Sequence, residues 1–287
     1  MLRRICAGLV FLSLLMCACR DAAPTGDANA GGETKSGGDK APLPDISKLV
    51  KRMTTQDGCK DFVAEMRITS ETESGKQSHV EVQLQRKYSA TGASTFLRVL
   101  SPKEDSDKAI LAIEEDEKPT EAFSYLAGLN KLAKLNSSRP LGFQGAKVTV
   151  QELLGMELGH YKHDAGERVT TDGQPFIKVV FQAQPDFNLV FPRIVGYFRE
   201  ADQSPSSFEL FGENDELVKK LVIREMKTIQ NYMTLTQIAI EDVAQKLKLK
   251  METKKIEYNQ GLSDKLFTEQ HLKNFITDAS NKRESGK

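Results

Sequence analysis

The sequence predicts a mainly β protein built on one antiparallel sheet. Residues 80–84 and 247–251 alternate strictly between apolar and polar side chains, which is typical of strands with one buried face. Turn signals such as Gly75, Gly92 and Gly212 recur between segments of this kind. About ten such strands in one domain of roughly 230 residues predict a strongly curved sheet or an incomplete barrel.

The elements follow one another along the chain in a simple order. A short helix is expected at residues 45–53, where Asp45 is a candidate N-cap and the apolar spacing fits one helical face. The clearest predicted strands then lie at 80–84, 97–99, 177–181, 208–210, 217–226, 233–242 and 247–251. Further helical patches are expected at 130–135, 150–154 and 268–275, the last with Thr268 as its N-cap.

Composition and charge exclude several classes of protein. The chain is 39% hydrophobic and 28% charged, which is typical of a soluble globular protein and unlike collagen, a coiled coil or a multi-span membrane protein. Forty basic residues balance forty acidic ones, so the overall charge gives no support to nucleic-acid binding.

The N-terminus has the pattern of an export signal. Arg3 and Arg4 precede an apolar run at residues 5–16, which is shorter than the roughly 20 residues needed to span a membrane. The run ends in two cysteines and resembles the lipobox of bacterial lipoproteins. Cys19, behind the small residue Ala18, is the predicted lipidation site.

Two alternatives to lipidation at Cys19 stay open at this stage. Cys17 is the rival anchor, because Leu14 lies three residues before it, although Met16 is large for the position next to the cut. An ordinary secreted protein would instead be cleaved near Ala22 or Ala23.

This interpretation divides the chain into four parts. Residues 1–18 are a lipoprotein signal peptide, 19–44 a disordered tether, 45–278 the folded domain and 279–287 a disordered tail. Only Cys59 remains in the folded part, so no disulfide is expected. Arg20 follows the anchor where an aspartate favours inner-membrane retention in many Gram-negative bacteria, which favours a periplasm-facing location on the outer membrane.

Four segments carry a family resemblance. They are Phe-Ser-Tyr-Leu at 123–126, Arg-Pro-Leu-Gly-Phe-Gln-Gly at 139–145, Gln-Glu-Leu-Leu at 151–154 and the closing motif at 258–268. Together they resemble the LolA-like outer-membrane lipoprotein-sorting proteins, in the longer treponemal-type periplasmic domain. The chain departs from the family at Ala127, where relatives usually carry proline, and at residues 146–148.

The resemblance implies an incomplete antiparallel β-barrel of the LolA/LolB type that wraps a hydrophobic cavity, with short helices closing it. It also implies the partners: acyl chains of lipoproteins or lipids, the membrane through the N-terminal anchor, and envelope transport proteins. Alternation along the strands places ten side chains on the inner face of this cavity. They are Val82, Leu84, Leu97, Val99, Phe123, Tyr125, Phe208, Leu210, Leu249 and Met251.

Catalytic and cofactor motifs are not evident. The chain has no Gly-x-Ser-x-Gly elbow and no Gly-rich dinucleotide fingerprint. His160 and His163 form the only histidine cluster, and on a strand they would point to opposite faces, so no metal site is expected.

Three functions remain open from the sequence. The first is a lipid-anchored carrier or acceptor of hydrophobic ligands, and the second is an envelope scaffold with a filled core. The third and least favoured is a hydrolase of a hydrophobic substrate.

Overall fold

The computed structural model of the protein describes residues 42–54, 58–126, 129–136 and 148–284. These residues belong to one unit that begins at Pro42. The predicted signal peptide, both candidate lipidation cysteines and nearly all of the tether lie outside the described residues. Among the described helices, none is long and apolar enough to cross a membrane.

The described residues form fourteen strands and three α-helices. The helices are α1 (Ile46–Thr54), α2 (Val150–Leu153) and α3 (Glu269–Glu284). The first six strands are β1 (Asp61–Thr72), β2 (Gln77–Ser89), β3 (Gly92–Ser101), β4 (Ala109–Glu115), β5 (Lys118–Leu126) and β6 (Lys131–Leu135). The other eight are β7 (Tyr161–His163), β8 (Glu167–Thr171), β9 (Gln174–Ala183), β10 (Arg193–Arg199), β11 (Pro205–Phe211), β12 (Leu217–Ile229), β13 (Tyr232–Asp242) and β14 (Leu247–Tyr258).

All fourteen strands belong to one antiparallel sheet. Its order is β6-β5-β4-β3-β2-β1-β14-β13-β12-β11-β10-β9-β7, with β8 pairing with β9 beside β7. The pairing of β1 with β14, for example Ile68 with Met251, joins the two halves of the chain. In the described part of the chain, β6 and β7 are each paired on one side only, so the sheet does not close into a full barrel.

Irregular registers accompany the long strands. The pairing of β1 with β14 shifts between Glu65 and Met66, and that of β12 with β13 shifts on both sides of Glu225. An extra residue at such a bulge bends a strand and increases its twist. These bulges therefore help strands of twelve and thirteen residues to curve around a common interior.

The mainly β, unclosed antiparallel architecture is confirmed, but the number of strands is fourteen rather than about ten. The short strands β7 and β8 at the sheet edge have too little alternation to be recognised. The helix expected at 130–135 is wrong, because this segment is strand β6. It pairs with β5, where Lys131 lies opposite Leu126 and Leu135 lies opposite Ala122. Sheet pairing has overridden a weak local helical pattern there.

Helices α1 and α2 are confirmed close to their predicted bounds. Asp45 caps α1, since its Oδ1 accepts the backbone N–H of Lys48 at 3.3 Å. Thr268 caps α3, and its Oγ1 accepts the N–H of His271 at 3.2 Å. The disordered tail predicted from residue 279 is wrong as far as Glu284, because α3 continues to that residue; no glycine or proline interrupts the segment before Gly286.

Apolar side chains cover both faces of the sheet near β3–β5. Leu97 and Ile110 belong to the large cluster that includes α1 and α2, whereas their neighbours Phe96 and Leu111 belong to a second cluster that includes α3. Successive residues of a strand point to opposite faces. We call the face with the larger cluster the inner face and the face under α3 the outer face.

Candidate functional site

Eight of the ten predicted cavity residues lie together on the inner face. All eight are buried members of the larger cluster: Val82, Leu84, Leu97, Val99, Phe208, Leu210, Leu249 and Met251. They come from four strands, β2, β3, β11 and β14, that are not all neighbours in the sheet. The alternation in the sequence therefore identified an apolar interior shared by both halves of the chain.

The other two predicted residues do not lie there. Tyr125 is a buried member of the second cluster, and Phe123 packs against that cluster, on the outer face with Leu272 of α3. On strand β5 the inner position next to Phe123 is Ala122, which belongs to the larger cluster. Alternation shows which residues share a face but not which face is the interior. On β5 the larger side chains lie on the outer face, so the prediction that they line the interior is wrong.

The two halves of the inner face are filled differently. On β10, Gly196 lies beneath the rings of Phe181, Phe198 and Phe208; a Cβ at this glycine would come within 2.9–3.1 Å of all three. The rings of Phe198 and Phe208 meet edge to face at 5.7 Å. Aromatic side chains thus occupy the interior of this half, and glycine leaves the room that they need.

Smaller side chains line the other half. Thr95, Ala112 and Ala122 lie opposite one another across β3, β4 and β5, and Ala112 is almost completely buried. Short helix α2 covers this region. We call the recess formed by Thr95, Leu97, Ile110 and Ala112 beneath this helix the α2 groove.

A small void remains in the α2 groove. Its volume is about 10 Å³, and the side chains of α2 that close it are Val150, Leu153 and the following Leu154. This is about the space of one water molecule, and its lining is almost entirely apolar. The groove is therefore filled by protein, and a larger ligand would have to displace α2.

A wider hollow of about 360 Å³ lies elsewhere, on the outer face of β12–β14. Its lining combines Arg224, Gln237, Lys248 and Lys250 with the apolar side chains Ile238, Ala239 and Leu249, the last of which is a predicted cavity residue. The charged and amide side chains favour water over hydrocarbon, so this hollow suits acyl chains less well than the α2 groove does.

The sequence around α2 explains why such a short helix forms. Thr149 and Glu152 make a capping box: the Thr149 side chain accepts the N–H of Glu152 at 3.2 Å, and Glu152 Oε2 accepts the N–H of Thr149 at 2.8 Å. A box of this kind satisfies two free donors of the first turn. An isolated helix of four residues would not be stable in water, so α2 depends on contacts with the sheet.

A buried group of charges attaches α2 to the sheet. Lys219 Nζ of β12 lies 2.6 Å from Glu152 Oε1 and 3.4 Å from Asp242 Oδ2 of β13. All three side chains are at most 5% exposed. Breaking a buried pair leaves an uncompensated charge, so this contact holds α2 strongly as long as the groove excludes water.

Gln151 connects α2 to the segment that follows strand β9. Its Oε1 accepts the N–H of Val190 at 2.7 Å, and its Nε2 lies 3.4 Å from the Tyr161 hydroxyl. That hydroxyl donates to the carbonyl of Phe191 at 3.0 Å, and burial raises the pKa of Tyr161. The cover of the inner face is therefore a hydrogen-bonded assembly rather than a helix alone.

The apolar stripe of β2 ends at a buried arginine. Arg86 follows Val80, Val82 and Leu84 at the same spacing, and its two guanidinium nitrogens bind both oxygens of Glu114 on β4. Arg86 Nη1 also donates to Thr95 Oγ1 at 3.0 Å. Thr95 lines the α2 groove, so a charged cluster lies at one end of an apolar recess.

Glu157 and His160 lie over this charged end. Burial raises the pKa of Glu157 to about 8, and the negative charge of Glu114 adds to the shift. Burial lowers the pKa of His160, whose ring stacks on Phe187 with centroids 4.2 Å apart. Both side chains are thus neutral near pH 7.

His163 and Cys59 have structural surroundings. His163 Nε2 lies 3.3 Å from the Ser47 hydroxyl of α1, and burial raises the pKa of the Cys59 thiol. Among the described residues, no group of three or more His, Cys, Asp or Glu side chains is arranged to hold a metal ion.

The closing motif of the sequence has a structural role. The buried Asp61 carboxylate accepts the N–H groups of Gln260 at 2.6 Å and Leu262 at 2.9 Å. Lys87 Nζ donates to the carbonyl of Leu262 at 2.9 Å. The motif thus fixes the path from β14 to α3, whereas the Arg-Pro-Leu-Gly segment at 139–145 lies outside the described residues.

Several residues of the site were missed by the sequence analysis, although a signal was present. Lys219 alternates with Leu221 and Ile223, and Arg86 continues the stripe of Leu84. A charged residue in phase with an apolar stripe must find a buried partner. The partners Glu152 and Glu114 could not be identified, because they are distant in sequence and meet only in the folded sheet.

Comparison with known proteins gives the family. A family model described as "Uncharacterized protein" matches residues 91–274, well over half of the chain. The chain belongs to this family. A search of curated proteins found no match.

Solved structures share the fold of this family member. A candidate outer membrane lipoprotein-sorting protein domain from Vibrio parahaemolyticus is similar at 18% identity and a TM-score of 0.69, covering 79% of this chain and 96% of that one. A DUF1329 family protein from Desulfovibrio piger has 18% identity and a TM-score of 0.71, with coverages of 81% and 100%. A LolA superfamily protein from Nitrosomonas europaea has 14% identity and a TM-score of 0.66, also with coverages of 81% and 100%. The fold is therefore LolA-like.

Proposed function

We propose that this protein is a non-catalytic carrier or acceptor of hydrophobic ligands in the bacterial periplasm, acting in lipoprotein sorting or lipid transport. The observation that carries the proposal is the α2 groove. It is an apolar recess lined by Leu97, Ile110 and Ala112, and a helix of only four residues covers it. The ligand would be an acyl chain of a lipoprotein or lipid.

The energetics of acyl chains favour such a site. Exposing a chain to water costs about 0.8 kcal/mol per methylene, so a lipid with several chains requires a protein interior to cross an aqueous compartment. The void of about 10 Å³ cannot hold a chain while α2 is in place. We therefore propose that the ligand takes the position of Val150, Leu153 and Leu154.

The half filled by aromatic rings is the fixed part of the interior in this proposal. Phe181, Phe198 and Phe208 surround Gly196 closely, and displacing three large side chains would expose far more apolar area than displacing one turn of helix. We expect ligand contacts to be concentrated on β3 and β4, with Leu249 and Met251 remaining core residues.

The N-terminal anchor belongs to the same proposal. Acylation at Cys19, or at the rival Cys17, would attach the domain to the outer membrane facing the periplasm. A tether of about 25 residues has a root-mean-square reach of roughly 25–30 Å. The domain could then receive a ligand from an envelope transport protein while staying close to the membrane.

One preparation tests the ligand and the anchor separately. The full chain is purified from membranes in mild detergent and its mass is measured under native and denaturing conditions. We expect a noncovalent lipid adduct that disappears on denaturation and a covalent acyl mass that Cys19→Ser removes. Cys17→Ser is the matched control and should keep the acyl mass.

Other outcomes would contradict specific parts of this proposal. A chain that carries no lipid and co-purifies with one stoichiometric protein would favour a scaffold with a filled core. Loss of the acyl mass in Cys17→Ser alone would move the anchor, and no acyl mass in the unaltered chain would remove it.

A further inference from the structure

The turn that follows α2 has an unusual backbone. Gly155, Met156 and Glu157 have φ values of +88°, +66° and +50°, so three successive residues occupy the left-handed region. Only glycine adopts this region without cost. Met156 and Glu157 therefore keep this conformation only because the surrounding contacts hold them.

Those contacts include a buried acid and a buried base. The Glu157 side chain is 4% exposed, and its Oε1 accepts a hydrogen bond from Thr120 of β5. His160 Nδ1 lies 3.9 Å from the same Oε1. This nitrogen is buried and has no hydrogen-bond partner among the described residues.

Groups from strands β2 and β4, the tip of the β4–β5 hairpin and one short turn face this pair. Glu114 of β4 and Arg86 of β2 act on Glu157 with opposite signs. Glu115 and Asp116, at the tip of the β4–β5 hairpin, interact with His160, which also stacks on Phe187.

Tyr161 is the remaining titratable group that Glu157 influences. Since Arg86 already binds both oxygens of Glu114, no free cation faces Glu157 among these groups. The site is thus suited to a neutral carboxylic acid beside a neutral imidazole.

We propose that Glu157 and His160 form a proton-operated latch that holds α2 on the inner face while Glu157 is protonated. In the closed state the Glu157 carboxyl carries a proton and lies 3.9 Å from His160 Nδ1. Loss of that proton leaves a buried carboxylate near Glu114, and the strained turn at 155–157 then releases α2 into water.

Proton linkage fixes the direction of the effect. Closing raises the pKa of Glu157 from 4.5 to about 8, so rising pH weakens the closed state between these two values. Closing also lowers the pKa of His160 below 6.5, so falling pH weakens the closed state once free imidazole becomes protonated. Below pH 6.5 the two effects oppose each other, so the stability of the closed state depends less on pH; above pH 6.5 only the Glu157 effect remains, and the closed state weakens up to about pH 8.

Amide hydrogen exchange of the full chain tests the latch without any ligand, so its failure would leave the proposed carrier function standing. The reporter is the peptide 149–156, in which Leu154 N–H binds the Val150 carbonyl at 3.0 Å and Met156 N–H binds the Gln151 carbonyl at 2.9 Å. At each pH, the exchange rate of this peptide in the unaltered chain is divided by its exchange rate in Glu157→Gln. Because the peptide is identical in both proteins, the intrinsic exchange chemistry cancels in the ratio.

We expect this ratio of exchange rates to rise by about tenfold per pH unit between pH 5.5 and 7.5. Each pH unit lowers the proton concentration tenfold, and the closed state requires one proton on Glu157. The peptide 232–242 of β13 is the control and should give a flat ratio. A second variant, His160→Asn, provides the test if Glu157→Gln does not fold. As pH falls below 6.5, the exchange rate of peptide 149–156 in the unaltered chain should rise relative to its rate in His160→Asn. A ratio that does not change with pH for either variant, or that changes equally in the β13 peptide, would overturn the latch.

Discussion

The two covers of the sheet differ in how they are attached. On the outer face, α3 spans sixteen residues and packs Leu272 and Ile276 on Phe96 and Leu111. On the inner face, α2 spans four residues and relies on a capping box and the buried charge of Lys219. The outer cover is therefore an ordinary apolar helix–sheet contact, whereas the inner one depends on a few polar contacts.

In the proposed function, this difference makes the inner face the better candidate for ligand exchange. Apolar packing is spread over many atoms, and it weakens only when much of the contact is lost. A polar attachment fails when one partner is removed or changes its charge. In the proposed function the inner cover therefore opens without disturbing α3, and strands β3–β5 support one permanent and one removable cover.

The largest expected effect comes from removing the charge that attaches α2. Lys219→Met should lower the free energy of unfolding by about 3–5 kcal/mol, because Glu152 and Asp242 are left without their buried cation. Chemical denaturation followed by circular dichroism measures it. The control is Lys220→Met, the next residue of β12, whose side chain is 46% exposed and 3.9 Å from Glu209; a surface pair of this kind contributes about 0–1 kcal/mol. Equal losses in the two variants would contradict the attachment.

A slightly smaller effect is expected on the outer face. Leu272→Ala removes a fully buried side chain beneath α3 and should cost about 2–5 kcal/mol. The affinity of the folded protein for an acyl ligand should nevertheless stay unchanged, since this face holds no ligand in the proposal. Asn274→Ala, at an exposed position of the same helix, is the control for both measurements. Weakened acyl binding in folded Leu272→Ala would contradict the division between the two faces.

The sequence predicted the parts of this fold that depend on local pattern. Strict alternation identified strands such as β2 and β14, and cap residues located α1 and α3. It failed where pairing decides the structure, as in β6, and where alternation leaves the choice of face open, as for Phe123 and Tyr125.

The candidate site was less accessible from the sequence than the fold. Eight of the predicted residues are buried together on the inner face because burial follows the period of the strand. The α2 groove was not foreseen, because it arises from small side chains, among them Thr95 and Ala112, that face each other only after β3 and β4 pair. Likewise, the 67-residue separation of Glu152 and Lys219 hides their contact from any local pattern.

Binding of a fluorescent fatty-acid analogue to two variants of β4 tests the central claim most directly. Ala112 and Ala109 are both buried, but Ala112 lies in the α2 groove and Ala109 lies under α3. Ala112→Leu should weaken binding by about tenfold or more, because the added carbons take the room of roughly two methylenes of the ligand at about 0.8 kcal/mol each. Ala109→Leu adds the same bulk, with a similar overpacking cost of about 1–3 kcal/mol, and should leave the affinity unchanged. Equal weakening in both folded variants, or no binding to the unaltered chain, would contradict the account.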